Sequence, residues 1–207
     1  MNADFPKSDD RIKTIGMNDI PTEPSPTSVL PTVDEASKML QATIGQIKFA
    51  REYTLELLAA TPRELWFEMP GTQDGRGVPT HVAWQVGHLA VSQYGLLMFR
   101  MRGRRPEDLD LIPGRLRKTY GRGGKPPLSP DKQPSADELF DKLAEVHRLA
   151  MDEIAMIDPA SLLETVDMPY AVYPCKLGAV LFCPMHESLH AGQIGLLRRA
   201  LGLEPIR

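Results

Sequence analysis

Apolar side chains recur every three or four residues in four long stretches of this chain, the spacing of helices that each bury one face. In the first, Leu40, Ile44, Ile47, Ala50, Tyr53 and Leu57 form a single stripe. Thr32 and Glu35 stand in the Thr-x-x-Glu spacing of a capping box, so this helix is expected to begin there and run to about Ala60. The second stretch, capped by Thr80 and reaching about Met101, carries two stripes: Trp84, His88, Val91 and Gly95 on one, Val82, Val86, Leu89 and Leu96 on the other. Such a helix keeps little surface for solvent, which puts His88 inside the molecule or at the lip of a cavity. In the third, a Ser135-x-x-Glu138 box precedes Leu139, Leu143, Val146, Ala150, Ile154 and Ile157, and Asp158-Pro159 ends the helix. The fourth spans roughly Gly178 to Leu201, with Gly202 as its C-terminal cap and Arg198 and Arg199 suited to the dipole of its last turn. Pro184 is expected either to kink this helix or to mark its true start. Four amphipathic helices and no strand pattern predict an all-α fold, a four-helix bundle around one core.

The segments between the helices divide the chain further. Residues 1–31 hold five prolines and few large apolar side chains, and are expected to form an arm, either loose or laid along the body as an extended strap. Residues 32–207 are then the bundle domain. Thr61-Pro62-Arg63-Glu64 reads as another capping box, opening a short turn around Leu65 and Trp66, and Gly71 to Pro79 reads as a loop. A long connection rich in glycine and proline, 102–134, joins the second and third helices. From Arg100 to Lys125 it has nine basic and three acidic residues, a net +6. It reads either as a solvated loop or as a rim whose arginines, within 102–122, receive an anionic group. Residues 159–176 form a second connection, with one turn near Leu162.

Composition narrows the class without naming an activity. A hydrophobic share of 42%, a charged share of 25% and a net charge of -3 belong to a soluble globular chain with no general attraction to nucleic acid or anionic membrane. No apolar run approaches the ~20 residues that span a bilayer. Met1 to Ile20 lack the apolar core of a signal peptide, and the two cysteines, Cys175 and Cys183, form no paired motif. A cytoplasmic location is the expectation that follows.

Candidate chemistry gathers on the fourth helix. His186 and His190 stand at i and i+4, so their side chains leave one helix face a turn apart and can share a divalent cation. A third donor has to come from elsewhere, and His88 on the second helix is the candidate. Three neutral imidazoles leave a coordination position open, as in a catalytic site, where a metal lowers the pKa of water to about 7 or holds a thiol as thiolate. Other residues compete for roles. Cys183, three residues before His186, is either a soft fourth ligand or a buried apolar cysteine. His147, at the edge of the third stripe, is structural or solvent-facing. His81, in the first turn of the second helix, carries no assignment. Glu187 would be the general base of an HExxH peptidase, but only Glu204 lies downstream to complete such a site.

Two motifs at these histidines resemble the DinB-like (YfiT-like) superfamily of four-helix-bundle metalloproteins. Trp84-Gln85-Val86-Gly87-His88-Leu89 is similar to the family's W-x-x-G-H-L, and His186 through Ile194 to its H-x-x-x-H-x-G-Q-I/L. The resemblance covers about residues 34–203. It implies a bundle, often a homodimer, with a divalent metal on His88, His186 and His190: zinc or nickel first, manganese or iron as alternatives. Some members transfer the low-molecular-weight thiols bacillithiol or mycothiol, and a mycothiol-dependent maleylpyruvate isomerase shares the fold. Pro184 and the long basic connection depart from the family pattern, so the substrates of those members do not carry over. The expected function is a metal-dependent enzyme of the thiol S-transferase type acting on a small electrophile. A metal-dependent hydrolase and a non-catalytic metal-binding or interaction bundle remain as alternatives.

Overall fold

A computed structural model describes residues 29–71, 80–127, 131, 133–168 and 171–206. The expected arm lies, as far as residue 28, outside the described residues, as do most of the Gly71–Pro79 loop and part of 128–132; Val29 to Thr32 lead into the first helix.

Four long helical stretches carry the fold. Helix α1 (Val33–Ala59) begins at the capping box, with Thr32 Oγ1 accepting from the Glu35 amide and the Glu35 carboxylate accepting from the Thr32 amide. Helix α2 (Val82–Tyr94) continues through a π-helical turn (Gly95–Phe99) into Arg100–Arg102. Two short helices, α3 (Asp108–Leu111) and α4 (Gly114–Tyr120), follow. Helix α5 (Ala136–Ala155) starts at the Ser135/Glu138 box. Helix α6 (Lys176–Ala200) ends at Gly202, whose φ of 80° lets the Leu203 amide reach back to the Arg198 carbonyl. Around the bundle, α1 packs on α6, α6 on α2, and α2 on α5. The predicted stripes face inward: Leu40, Ile47 and Leu57 of α1 and Leu139, Leu143, Val146, Ala150 and Ile154 of α5 are all buried.

Two local expectations, the Thr61 and Thr80 caps, are corrected, and two, Pro184 and Arg198, are sharpened. Thr61 caps nothing; its hydroxyl donates to the Leu57 carbonyl, and the turn Arg63–Leu65 that follows has no side-chain cap. The second helix is capped by His81, whose Nδ1 accepts from the Trp84 amide, rather than by Thr80. Pro184 is not the start of the fourth helix but lies well inside it. Arg198 does more than complement a dipole. It is buried, and its guanidinium donates to the Leu57 and Ala60 carbonyls at the open end of α1.

The basic connection carries two short helices and is anchored in the core at a few positions, while most of its residues stay exposed. Leu111, Ile112, Leu116 and Tyr120 are buried in the common core. An arginine clamp holds the segment down. Arg102 makes paired hydrogen bonds to Asp108 (2.8 and 2.9 Å) and to Glu153 of α5 (2.6 and 2.9 Å). The Tyr94 hydroxyl and the Arg105 amide also donate to Asp108. The Arg102 guanidinium holds the Asp108 carboxyl down at about 2, so the clamp stays charged through the neutral range.

Candidate metal centre

The architecture brings α2 and α6 side by side, and with them the three histidines. His88 Nε2 lies 3.3 Å from His186 Nε2, and His190 Nε2 lies 3.2 Å from the same atom. Among the described residues, His88, His186 and His190 form the one cluster whose donor atoms all fall within 4.8 Å of one another.

Two of the rings are oriented from behind. His88 Nδ1 is 2.7 Å from the Tyr120 carbonyl, which can only accept, so Nδ1 carries the proton and Nε2 presents a lone pair. His190 Nδ1 is 2.5 Å from Gln85 Oε1. The Gln85 amide nitrogen donates to Thr80 Oγ1 at 2.9 Å. In this orientation the amide oxygen accepts from His190 Nδ1–H, which leaves the Nε2 lone pair toward the cluster. Burial pulls all three rings below the ordinary histidine range, His186 to about 4 and His190 to about 3, which keeps them neutral near pH 7.

At least two lone pairs thus point into one small space beside a third imidazole nitrogen, an arrangement that calls for a cation. Nitrogens held about 2.0–2.1 Å from a tetrahedral zinc sit roughly 3.3 Å from one another, close to the spacing found here. The donor set fits a divalent metal. Trp84 stacks on His88 with ring centroids 4.8 Å apart and planes 9° apart, and its indole N–H donates to the Thr119 carbonyl. Gly87 has a steric reason: a Cβ there would lie 2.4 Å from the Tyr120 ring, so only glycine lets α4 approach and present its carbonyl to His88.

A cavity of about 650 Å³ opens beside the cluster, lined by His88, His186 and Ser92 together with Phe182 and the wall of the π-helical turn. Ser92 Oγ is 3.2 Å from His88 Nε2. Helices with π turns often border functional sites, because the extra residue re-aims the side chains around it.

The competing candidates have other employment. Both oxygens of Glu187 are taken by Arg51 (Nε–Oε1 2.5 Å, Nη2–Oε2 3.1 Å) in a fully buried pair, so Glu187 is not placed as a peptidase base. Glu204 is exposed at the far end of α6. Cys183 is buried, and burial next to Glu187 pushes its thiol up, so it stays protonated and outside the cluster. His147 Nδ1 lies 3.0 Å from Gln93 Nε2, and Gln93 Oε1 accepts from Arg51 at 2.9 Å. His81 is a helix cap whose second nitrogen reaches the Pro127 carbonyl. Sequence reasoning did not assign roles to Gln85 and Tyr120. Gln85 stood inside the motif quoted for His88, whereas nothing local marks the Tyr120 carbonyl.

A family model described as the DinB superfamily matches residues 46–194. No curated protein matches the chain. Among the described residues no helix is long and apolar enough to cross a membrane.

Proposed function

The chain belongs to the DinB superfamily, and on that premise we propose that it is a metal-dependent enzyme of the thiol S-transferase type, acting on a small electrophilic molecule. The observation that carries the reading is the trio of imidazoles whose donor atoms lie within 4.8 Å of one another, with His186 Nε2 at 3.3 Å from His88 Nε2 and 3.2 Å from His190 Nε2, and two of the rings held from behind. His88, His186 and His190 would hold the divalent metal, zinc or nickel before manganese or iron; three imidazoles suit each of them. Once bound, the cation supplies a Lewis-acid centre that lowers the pKa of a thiol or water reaching it.

The chain's own residues do the rest. Gln85 and the Tyr120 carbonyl hold His190 and His88 in the ligating tautomer and orientation. Trp84 and Phe182 flank the cluster with aromatic surface and keep bulk water from its sides. Ser92 lines the cavity with a hydroxyl able to donate to, or accept from, a substrate atom beside His88.

A homodimer is part of the proposal. Phe49 on α1 and Met185, Leu189 and Leu196 on α6 are exposed, and Phe49 and Met185 line a groove together with Gly45 and Ser188. Bulky and small positions on one face let a second copy dock on the same face across a two-fold axis. A cytoplasmic location is also proposed, since both cysteines are buried free thiols.

The test is turnover. Metal-free protein is reloaded separately with zinc, nickel, manganese and iron, and consumption of low-molecular-weight thiols is followed against a panel of electrophiles. The reading expects turnover with at least one metal that His88→Ala abolishes. It fails if no metal and thiol pair exceeds the His88→Ala background.

A further inference from the structure

The cavity beside the histidine cluster has a charge pattern that the cluster does not require. Arg100, Arg104, Arg117 and Arg122 all line it, and among the described residues no aspartate or glutamate does. The nearby carboxylates are engaged elsewhere: Asp108 and Glu153 are both clamped by Arg102, whose guanidinium is absent from the lining. Arg105 reaches Glu153 at 3.8 Å, and Arg115 lines a separate cavity on the far side of Tyr120. So the connection's basic residues divide into those that fasten the segment and those that ring the cavity.

The fold holds the second set in place. The Arg100 guanidinium folds back on the Gly95 carbonyl (2.8 Å), at the π-helical turn that forms the cavity wall. Arg104 follows the Arg102 clamp and lies beside the Tyr94 hydroxyl. Arg117 and Arg122 flank Tyr120, the residue whose carbonyl orients His88. Arg100, Arg104 and Arg117 carry like charges around one concavity and repel one another, and a low-dielectric wall raises that cost unless an anion enters. Guanidinium forks match carboxylate and phosphate oxygens in pairs. The remaining wall, Val91, Leu96, Phe99 and Phe182, is apolar.

We propose that this cavity binds a small organic anion with at least two negative charges, carried as carboxylates or phosphate on a short apolar body, and that Arg104 and Arg117 are its principal anchors. The proposal rests on the reading of the same cavity as the approach to the metal, and it specifies the substrate class of that site. It separates this cavity from a general electrophile pocket, which would need no cationic ring.

The experiment is calorimetric titration of the full chain, metal-free and metal-loaded, with succinate, pyrophosphate and the neutral control succinamide. Parent, Arg104→Gln/Arg117→Gln and His88→Ala are compared, with metal content measured on each sample. Both arginines are exposed, so the double variant is expected to fold. The expected result is one anion per chain, no binding of succinamide, and an affinity about tenfold or more weaker in the double variant at unchanged metal content. Metal-free parent and His88→Ala are expected to retain the anion, so loss of the metal reading alone would leave this binding standing. Preference for succinate or pyrophosphate identifies the anionic group. Succinate binding no tighter than succinamide, or anion binding equal in parent and double variant, overturns the proposal whatever the metal content.

Discussion

Gln85 holds His190 through its ring Nδ1. Its amide oxygen stands 2.5 Å from His190 Nδ1 and its amide nitrogen donates to Thr80; in that orientation the proton sits on Nδ1 and the Nε2 lone pair turns toward His88 and His186. Partners of this kind are typically worth about 10–100-fold in metal affinity. Gln85→Leu should therefore weaken zinc binding by roughly that factor, read by competition against a chromophoric chelator. Gln85→Glu, which keeps the acceptor, should restore most of it. Equal affinity in parent and Gln85→Leu would show that the contact does not orient the ring.

Arg51 and Glu187 test the architecture beneath the site. Both are nearly inaccessible and paired through two hydrogen bonds, with further Arg51 donations to Gln93 and the Leu143 carbonyl. Removing one partner strands the other charge in the core, at a cost of about 3–5 kcal/mol. Glu187→Leu should lower the urea midpoint sharply, and Arg51→Met/Glu187→Leu should recover much of the loss. A double variant as unstable as the sum of the singles would contradict this pairing.

His147 should make stability depend on pH. Gln93 presents an N–H to His147 Nδ1, and burial with the nearby Arg51 and Lys48 charges pulls the ring down to about 4. The native state resists a proton that the unfolded chain accepts near pH ~6.5. This group's contribution is therefore intact above that pH and is lost as pH falls toward about 4. The effect should be on the order of 1–2 kcal/mol, allowing for the ring's partial exposure. Urea titrations at pH 7 and pH 4.5 should give His147→Gln a shallower pH dependence than the parent; equal slopes would contradict the account.

Tyr120 separates packing from hydrogen bonding. Its ring fills the space that Gly87 leaves, its carbonyl orients His88, and its buried hydroxyl has no hydrogen-bond partner among the described residues. An unsatisfied buried hydroxyl costs about 1–3 kcal/mol, so Tyr120→Phe should leave thermal stability unchanged or raise it, with metal affinity intact. Gly87→Ala should lower both, because its Cβ meets the base of the ring rather than a flexible tip. A clear loss of stability in Tyr120→Phe would mean that the hydroxyl has a partner.

Leu189 tests the proposed assembly. It is 58% exposed, one helical turn past Met185 on α6. Sedimentation should find a dimer for the parent and a monomer for Leu189→Glu, since a charge at the centre of an isologous interface is met by its own copy. A monomeric parent at micromolar concentration would remove the homodimer from the reading.

Local signals made the helices legible. Thr32 with Glu35 and Ser135 with Glu138 announced two starts because a capping box is complete within four residues. The same spacing misled at Thr61, where the hydroxyl found the Leu57 carbonyl one turn back. The burial of Leu111, Ile112, Leu116 and Tyr120 was hidden by glycine, proline and arginine around them. What fastens that segment, the bond of Arg102 to Glu153 on a distant helix, has no sequence spacing to read. The i, i+4 histidine pair was visible from helical periodicity alone. Periodicity placed His88 near a cavity and made it the candidate third donor to that pair, and the motif resemblance supported the assignment. The carbonyl of Tyr120 could not be read at all, since a backbone acceptor leaves no residue type behind.

The most direct measurement is X-ray absorption and anomalous diffraction on the protein reloaded with a single equivalent of zinc or nickel. The account predicts one cation per chain bound by the Nε2 atoms of His88, His186 and His190, lost in His88→Ala. A cation at other residues, or stoichiometric binding that His88→Ala leaves untouched, would contradict it.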